Sequence, residues 1–205
     1  QYLFDVIRFW IDEFDIDGIR LDCANVLDFN FMKEMRAQTA TMKPDFWLMG
    51  EVIHGEYSRW VNPEMLHSVT NYELHKGLYS GHNDHNYFEI AHTVRRLEQV
   101  GYQLYTFVDN HDEDRIASKL NHPANLFPVY QLLFTLPGIP SVYYGSEWGI
   151  EGKRSRTSDE VLRPALNLSD MLGKAPELAS HIAALGKIHT ENDAFHNGSY
   201  KELLL

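Results

Sequence analysis

The chain has 205 residues, of which 44% are hydrophobic and 13% are aromatic. This composition is sufficient for the core of a single domain and excludes a disordered or fibrous protein. The 29 acidic residues outnumber the 18 basic residues and give a formal net charge of −11. Because this charge repels phosphate backbones and anionic lipid surfaces, we expect neither nucleic acid nor membrane as a partner, whereas neutral substrates such as sugars are compatible with it.

Cysteine content and hydropathy narrow the class further. Cys23 is the single cysteine, so the chain has no intrachain disulfide and no cysteine-based zinc cluster. No apolar run approaches the roughly 20 residues that span a bilayer, and the N-terminus lacks the pattern of a signal peptide. The chain begins in helical periodicity without a methionine. We therefore expect a fragment of a longer protein and favour a cytoplasmic location.

Helical and strand-like segments alternate along the chain. The predicted helices cover about residues 3–14, 29–42, 87–100, 126–136 and 177–190, and the predicted strands cover 18–23, 46–52, 68–72, 104–108 and 139–144. Apolar strands that alternate with amphipathic helices are typical of parallel βα units. A doubly wound sheet fits the same order, but no strand is followed by a Gly-rich phosphate loop or a dinucleotide fingerprint. The pattern therefore favours an α/β protein of the TIM (β/α)8 barrel type.

The last segment of the chain has a different pattern. Asn197-Gly198 predicts a tight turn, and residues 199–205 that follow it predict a strand.

Polar residues follow the predicted strands, at the end where a barrel of this type builds its active site. Arg20 and Asp22 are two residues apart on the first strand, so their side chains point to the same face. A neighbouring guanidinium favours an ionised Asp22, which a carboxylate nucleophile requires. Taken alone, an Arg-x-Asp pair is more often a structural ion pair.

Two further acidic positions follow later strands. Glu51 ends an apolar stretch in which desolvation disfavours the charged carboxylate, as a general acid requires. The segment Asp109–Arg115 crowds carboxylates around His111. This segment fits a solvated acidic loop, a metal site or a sugar-binding site. Hydrolysis of a glycosidic bond needs two carboxyl groups, which Asp22 and Glu51 can supply, and Asp112 could bind sugar hydroxyls.

Three segments carry a specific resemblance. DGIRLDCAN, GEVIHG and FVDNHDEDR, in this order and each at a strand end, resemble three of the four signature regions of the α-amylase family, glycoside hydrolase family 13. The resemblance implies that Asp22 is the nucleophile, Glu51 the general acid/base and Asp112 the acid that stabilises the transition state, accompanied by Arg20 and His111. It also implies a retaining reaction through a covalent intermediate on Asp22.

Finer features indicate a branch of that family. The residues after Asp22 and Glu51, and the run Gly-Ile-Pro-Ser-Val-Tyr-Tyr-Gly-Ser-Glu, look like the neopullulanase, cyclomaltodextrinase and maltogenic amylase group. By this resemblance Asn25, His54 and Arg115 contact the substrate or order the site. The alternatives are a helix cap, a loop histidine and a surface ion pair, respectively.

The resemblance also predicts the domain organisation. It covers the fourth to the eighth barrel strands and assigns residues 1–192 to the C-terminal part of the barrel and residues 193–205 to the start of a C-terminal β domain. A partial barrel leaves strand edges unpaired, so we expect self-association through these edges and weak or absent activity. We assign no metal, including at Gly81–His85, where we expect a capped turn. Calcium in an intact enzyme of this family remains compatible with the resemblance.

The predicted substrates are α-1,4- or α-1,6-linked glucans, namely starch-derived oligosaccharides, pullulan or cyclodextrins. Transfer to a sugar acceptor uses the same motifs as hydrolysis, so a transglycosylase is an open alternative. A non-catalytic carbohydrate-binding barrel is a second alternative, although it has no need to keep Asp22, Glu51 and Asp112 together. A metal-dependent hydrolase is a third, and activity that chelators leave unchanged would argue against it.

Overall fold

The structure is a computed structural model that describes residues 1–203. The chain divides into two compact units. The first contains Gln1–Asn71 and Gln103–Tyr105, and the second contains Tyr72–Tyr102 and the described residues from Thr106 onward. No helix among the described residues is both long enough and apolar enough to cross a bilayer.

Helices and strands alternate through most of the described chain. The helices are α1 (Tyr2–Phe14), α2 (Phe29–Met42), α3 (Tyr72–Asn83), α4 (Tyr87–Arg96), α5 (Ile116–Lys119), α6 (Leu126–Thr135), α7 (Leu168–Met171), α8 (Pro176–Glu191) and α9 (Ala194–Asn197). The strands are β1 (Gly18–Leu21), β2 (Trp47–Gly50), β3 (Ser68–Val69), β4 (Tyr105–Phe107) and β5 (Ile139–Ser141).

The first unit is built on a parallel sheet with the strand order β1-β2-β3. Leu21 at the end of β1 lies opposite Gly50 at the end of β2. The crossover helix α2 begins at Asp28, whose carboxylate accepts a hydrogen bond of 2.9 Å from the backbone N–H of Phe31. It ends before Pro44, which cannot continue a helix. Because β1 and β2 run parallel and end opposite each other, the residues that follow the two strands lie at the same edge of the sheet.

The second unit has an apolar core between helices. Side chains of α3, α4, α6 and α8 form one buried cluster that includes Leu78, Ile90, Val129, Leu133 and Ile182. Strands β4 and β5 form a two-stranded sheet. The core fixes the strands and helices from which the polar loops of this unit project.

The predicted alternation of strands and helices is confirmed; the structure adds the short helices α5 and α7 and shows two further differences. The third predicted strand was extended to Tyr72, but α3 begins there and continues to Asn83. This helix was not predicted because Gly77 and Gly81 lower its helical propensity, yet burial of its apolar face stabilises it. The prediction of Gly81–His85 as a capped turn is wrong for its first three residues, which belong to α3.

The second difference concerns the end of the chain. The predicted turn at Asn197-Gly198 is wrong, because α9 ends at Asn197 and Gly198 has a φ of −78°, outside the left-handed region that such a turn requires. Residues 198–203 form no strand. Leu204 and Leu205, which also belong to the predicted strand, lie outside the described residues.

Gly50 offers a test of packing next to the candidate site. A Cβ atom at Gly50 would lie 2.6 Å from Leu66 Cδ1 and 2.8 Å from Ala24 Cβ. We expect Gly50→Ala to lower the free energy of unfolding by about 1–3 kcal/mol, because overpacking displaces these neighbours. Urea denaturation measures the change. The control is Gly186→Ala in α8, where the nearest atom is 3.8 Å away and alanine should stabilise by about 0.5–1 kcal/mol. Equal effects of the two substitutions would contradict this account.

Candidate active site

Asp22 lies directly after β1 and is paired with Arg20. Arg20 Nη1 donates a hydrogen bond of 2.9 Å to Asp22 Oδ1, so the two side chains share one face as the sequence predicted. The Asp22 side chain is 74% exposed. The hydrogen bond from Arg20, and then its positive charge, lower the pKa of Asp22 below its ordinary value. Asp22 is therefore an accessible carboxylate that stays ionised.

Glu51 lies directly after β2 and is buried, with 7% of its side chain exposed. Its Oε1 atom lies 3.2 Å from Arg20 Nη2, and its Oε2 atom accepts a hydrogen bond of 3.0 Å from the backbone N–H of Cys23. Its own backbone N–H donates to the carbonyl of Leu21, and its carbonyl accepts from the N–H of Ala24, both at 2.8 Å. Backbone and side chain are thus both held against the residues that follow β1.

Cys23 shapes the turn between Asp22 and the rest of the site. Its φ is 45°, in the left-handed region that non-glycine residues seldom adopt. Its exposed thiol has a raised pKa, chiefly because of the negative charge of Asp22. One side-chain atom each of Asp22, Cys23 and Glu51 lie within 4.8 Å of one another. The turn therefore brings the two carboxylates close together.

These three side chains are also possible metal ligands. They form the one group of three such residues within the described part of the chain. Arg20, however, contacts both carboxylates, and its positive charge opposes a cation at the same place. The arrangement favours chemistry by paired carboxyl groups over metal binding.

In the second unit, the loop after β4 carries His111 and Asp112. The side-chain oxygen of Asn110 accepts hydrogen bonds of 2.9 Å from the N–H groups of Asp112 and Glu113, which folds this segment into a tight turn. Asn110 Nδ2 donates to the Tyr72 hydroxyl at 3.1 Å. His111 Nε2 lies 3.1 Å from Asp112 Oδ2. His111 and Asp112 are therefore brought together on one turn.

Glu113 anchors the same loop to the helices. Its Oε2 atom lies 2.5 Å from Lys119 Nζ and 3.6 Å from His75 Nε2. Contact with His75, and then the hydrogen bond and charge of Lys119, lower the pKa of Glu113 to about 2. Burial lowers the pKa of His75, which favours the neutral imidazole. The charged partner of Glu113 is therefore Lys119.

Arg115, which was predicted to contact the substrate or to order the site, lies in the interior of the second unit. It is fully buried, with its guanidinium 4.2 Å above the Tyr143 ring, and it donates hydrogen bonds to the Tyr144 carbonyl (2.6 Å), the Ser146 hydroxyl (3.1 Å) and the Leu162 carbonyl (2.7 Å). None of the Arg115 surface is accessible, so of the two predicted roles the structure favours ordering of the site over contact with the substrate. The alternative of a surface ion pair is wrong for the same reason. Arg115 instead fixes the segment after β5.

Asp109 is a buried carboxyl group at the start of the same loop. Its Oδ2 atom accepts hydrogen bonds of 2.8 Å from the N–H of Ile116 and 2.7 Å from the Ser146 hydroxyl. Burial raises the pKa of Asp109. Asp109 thus links the loop after β4 to the segment that Arg115 fixes.

Arg163 is a site residue that the sequence did not reveal. Its Nη2 atom lies 2.6 Å from Asp112 Oδ1, and its Nε atom donates to the His111 carbonyl at 3.1 Å. An exposed arginine 51 positions beyond Asp112 belongs to no motif, so only the folded chain shows this contact.

The two other predicted contact residues are exposed. Asn25 lies in a short 3-10 turn, Ala24–Val26, and His54 lies in the turn after β2. The N-cap of the 3-10 turn is Cys23, so Asn25 is not its cap. Contact of Asn25 and His54 with substrate remains a prediction.

Comparison with known proteins identifies the family. The family model described as the alpha amylase catalytic domain matches residues 1–177. The match covers more than half of the chain, so the chain belongs to the α-amylase catalytic domain family, as its signature segments predicted.

Individual relatives agree with this assignment. The chain is 33% identical over 162 residues to a cyclomaltodextrinase of Geobacillus thermopakistaniensis. The alignment covers 74% of this chain and 27% of the relative. The chain is 32% identical over 174 residues to neopullulanase 2 of Thermoactinomyces vulgaris, covering 81% of this chain and 29% of the relative. The chain thus spans less than a third of the length of these curated relatives.

A solved structure supports the same fold. The crystal structure of an α-amylase from Anoxybacillus superposes with a TM-score of 0.84 at 26% identity, covering 99% of this chain and 46% of that one.

Glu113 gives a pH-dependent prediction. Because its pKa falls from 4.5 to about 2 on folding, its stabilising contribution is complete above pH 4.5 and is lost as the pH falls toward 2. We expect the unfolding free energy of the unaltered chain to exceed that of Glu113→Gln by about 1–3 kcal/mol at pH 6 and to approach it near pH 2. Urea denaturation across this range measures the difference.

The control for this experiment is Glu98→Gln, which removes an exposed glutamate without an ion pair in the described structure. The comparison reports the coupling of Glu113 to His75 together with the Lys119 pair, because removal of Glu113 also lowers the pKa of His75. A difference between the unaltered chain and Glu113→Gln that is independent of pH would contradict the ionic role of Glu113.

Proposed function

We propose that this chain carries the catalytic carboxyl groups of a retaining glycoside hydrolase that cleaves α-glucosidic bonds in starch-derived α-glucans or oligosaccharides. The observation that carries the proposal is the pair of an exposed, ionised Asp22 with a buried Glu51, both in contact with Arg20. Membership of the α-amylase catalytic domain family supports it.

The proposed reaction is a double displacement by the two carboxyl groups, with the roles that their signature segments assign. Asp22 attacks the anomeric carbon while Glu51, carrying a proton, donates it to the leaving glycosidic oxygen. Water, deprotonated by Glu51, then releases the sugar from Asp22. One oxygen of each carboxylate lies within 4.8 Å of the other. This favours the retaining arrangement of about 5–5.5 Å over the inverting arrangement of about 6.5–9.5 Å, which leaves room for a water molecule.

The proposal gives Arg20 and Asp112 separate supporting roles. Arg20 contacts both carboxylates and so limits their rotation before substrate binds. Asp112, paired with His111, is assigned by its signature segment to bind sugar hydroxyls and favour the distorted ring of the transition state. No step requires a cofactor, since the carboxyl groups supply both the nucleophile and the proton.

The place of the chain in the family fold is part of the proposal. We assign β1 to β5 to strands four to eight of a (β/α)8 barrel, because each signature segment follows the corresponding strand. The names of the relatives, cyclomaltodextrinase and neopullulanase, support cyclodextrins and pullulan as substrates beside linear maltooligosaccharides. A sugar hydroxyl in place of water in the second step would give transfer instead of hydrolysis.

The test replaces each carboxyl group separately. We expect Asp22→Asn and Glu51→Gln each to lower kcat for a maltooligosaccharide by on the order of 10³-fold or more, because each removes a group that acts only in the reaction. Release of reducing sugar measures the rate. Asp45→Asn is the matched control, since Asp45 is exposed and its side chain has no hydrogen bond or ion pair in residues 1–203.

The stereochemistry of the first product tests the retaining mechanism independently. Proton NMR in the first minutes of reaction should show the α-anomer before mutarotation. Initial formation of the β-anomer would overturn the retaining assignment. Failure to cleave linear, cyclic and branched α-glucans, by this chain and equally by a longer chain that supplies the remaining barrel strands, would overturn the proposed activity.

A further inference from the structure

We infer that Arg163 is a positioning residue for Asp112, which it holds in the orientation that the sugar requires. The inference rests on the proposed function, because it assigns Arg163 a part in the same reaction. It concerns a residue outside the signature segments.

Arg163 contacts the loop after β4 at two points. Nη2 lies 2.6 Å from Asp112 Oδ1, while Nε of the same guanidinium donates to the His111 carbonyl at 3.1 Å. A planar guanidinium that makes two bonds fixes direction as well as distance. The two contacts therefore fix the orientation of the Asp112 carboxylate relative to the backbone of the loop after β4.

The segment that presents Arg163 is itself fixed on both sides. The carbonyl of Leu162 accepts a hydrogen bond of 2.7 Å from the buried guanidinium of Arg115. The carbonyl of Pro164 accepts one of 2.9 Å from the Tyr144 hydroxyl. Arg163 thus extends from an ordered backbone, so its contact with Asp112 costs little additional conformational entropy.

Asp112 can keep this contact while it binds a sugar. Oδ1 faces Arg163, and Oδ2 lies 3.1 Å from His111 Nε2. A carboxylate accepts about four hydrogen bonds, so two acceptor positions remain for hydroxyl groups. The contacts with Arg163 and His111 determine which two acceptor positions of Asp112 remain for the sugar hydroxyls.

The energy of the ion pair points to orientation as its main effect. The side chains of Arg163 and Asp112 are 44% and 36% exposed, and ion pairs at this level of exposure contribute about 0–1 kcal/mol to stability. A second acid, Asp159, lies farther from Arg163 Nη2, at 3.4 Å. Loss of Arg163 should therefore leave the fold intact and disturb Asp112.

The experiment compares Arg163→Ala, Arg163→Lys and Arg156→Ala in the purified protein. Arg156 is an exposed arginine in the same segment whose side chain has no ion pair in the described residues. We expect Arg163→Ala to lower kcat roughly 10- to 100-fold with a smaller change in KM, because a displaced catalytic group slows the reaction more than it weakens binding. Arg163→Lys should recover part of the loss, and millimolar guanidinium ion should restore rate to Arg163→Ala in a saturable manner. Arg156→Ala should behave as the unaltered protein.

Three results would overturn the inference while the proposed function stands. The first is full activity of Arg163→Ala. The second is a large fall in its melting temperature without rescue by guanidinium, which indicates a merely structural role. The third is an equal response of Arg156→Ala.

An inactive unaltered protein would count against the proposed function, and a crystal structure of Arg163→Ala then decides the inference. An Asp112 carboxylate rotated away from His111 supports the positioning role. An unmoved carboxylate refutes it.

Discussion

The candidate site depends on one guanidinium that serves two carboxylates. Arg20 contacts the exposed Asp22 and the buried Glu51 at 2.9 and 3.2 Å. The positive charge of Arg20 offsets the repulsion between two carboxyl groups that lie a few ångströms apart. Arg20 therefore allows Asp22 and Glu51 to lie as close together as a double-displacement reaction needs. Arg20 reaches both carboxylates because β1 and β2 run parallel and end opposite each other.

In the other compact unit a second arginine, Arg115, also holds neighbouring groups in place, but it is buried. Its guanidinium is satisfied mainly by backbone carbonyls and by the face of Tyr143, so it carries a charge that its surroundings solvate in place of water. Removal of Arg115 leaves the carbonyls of Tyr144 and Leu162 without this donor. Arg115 belongs to the same signature segment as Asp112, so this motif combines a residue that is proposed to bind the substrate with a buried residue that packs.

Much of the architecture could be read from the sequence. Hydrophobic periodicity is a local property, and it predicted the bounds of α2 and the positions of all five strands within a few residues. Hydrophobic periodicity did not predict α3, because glycines and polar residues interrupt its helical pattern. It also gave a wrong prediction at the end of the chain, where a short helix ends at Asn197. In both places the packing of neighbouring segments outweighs local preference.

The sequence by itself determined the family, the strand-end acids and the face shared by Arg20 and Asp22, because each of these depends on residue type and short spacing. Tertiary structure alone decided that Cys23 donates its N–H to Glu51, that Arg115 is buried and that Arg163 reaches Asp112. These contacts join residues that are 28 to 51 positions apart, or depend on burial by such residues. These residues meet only when the chain packs, so no local sequence pattern predicts their contacts.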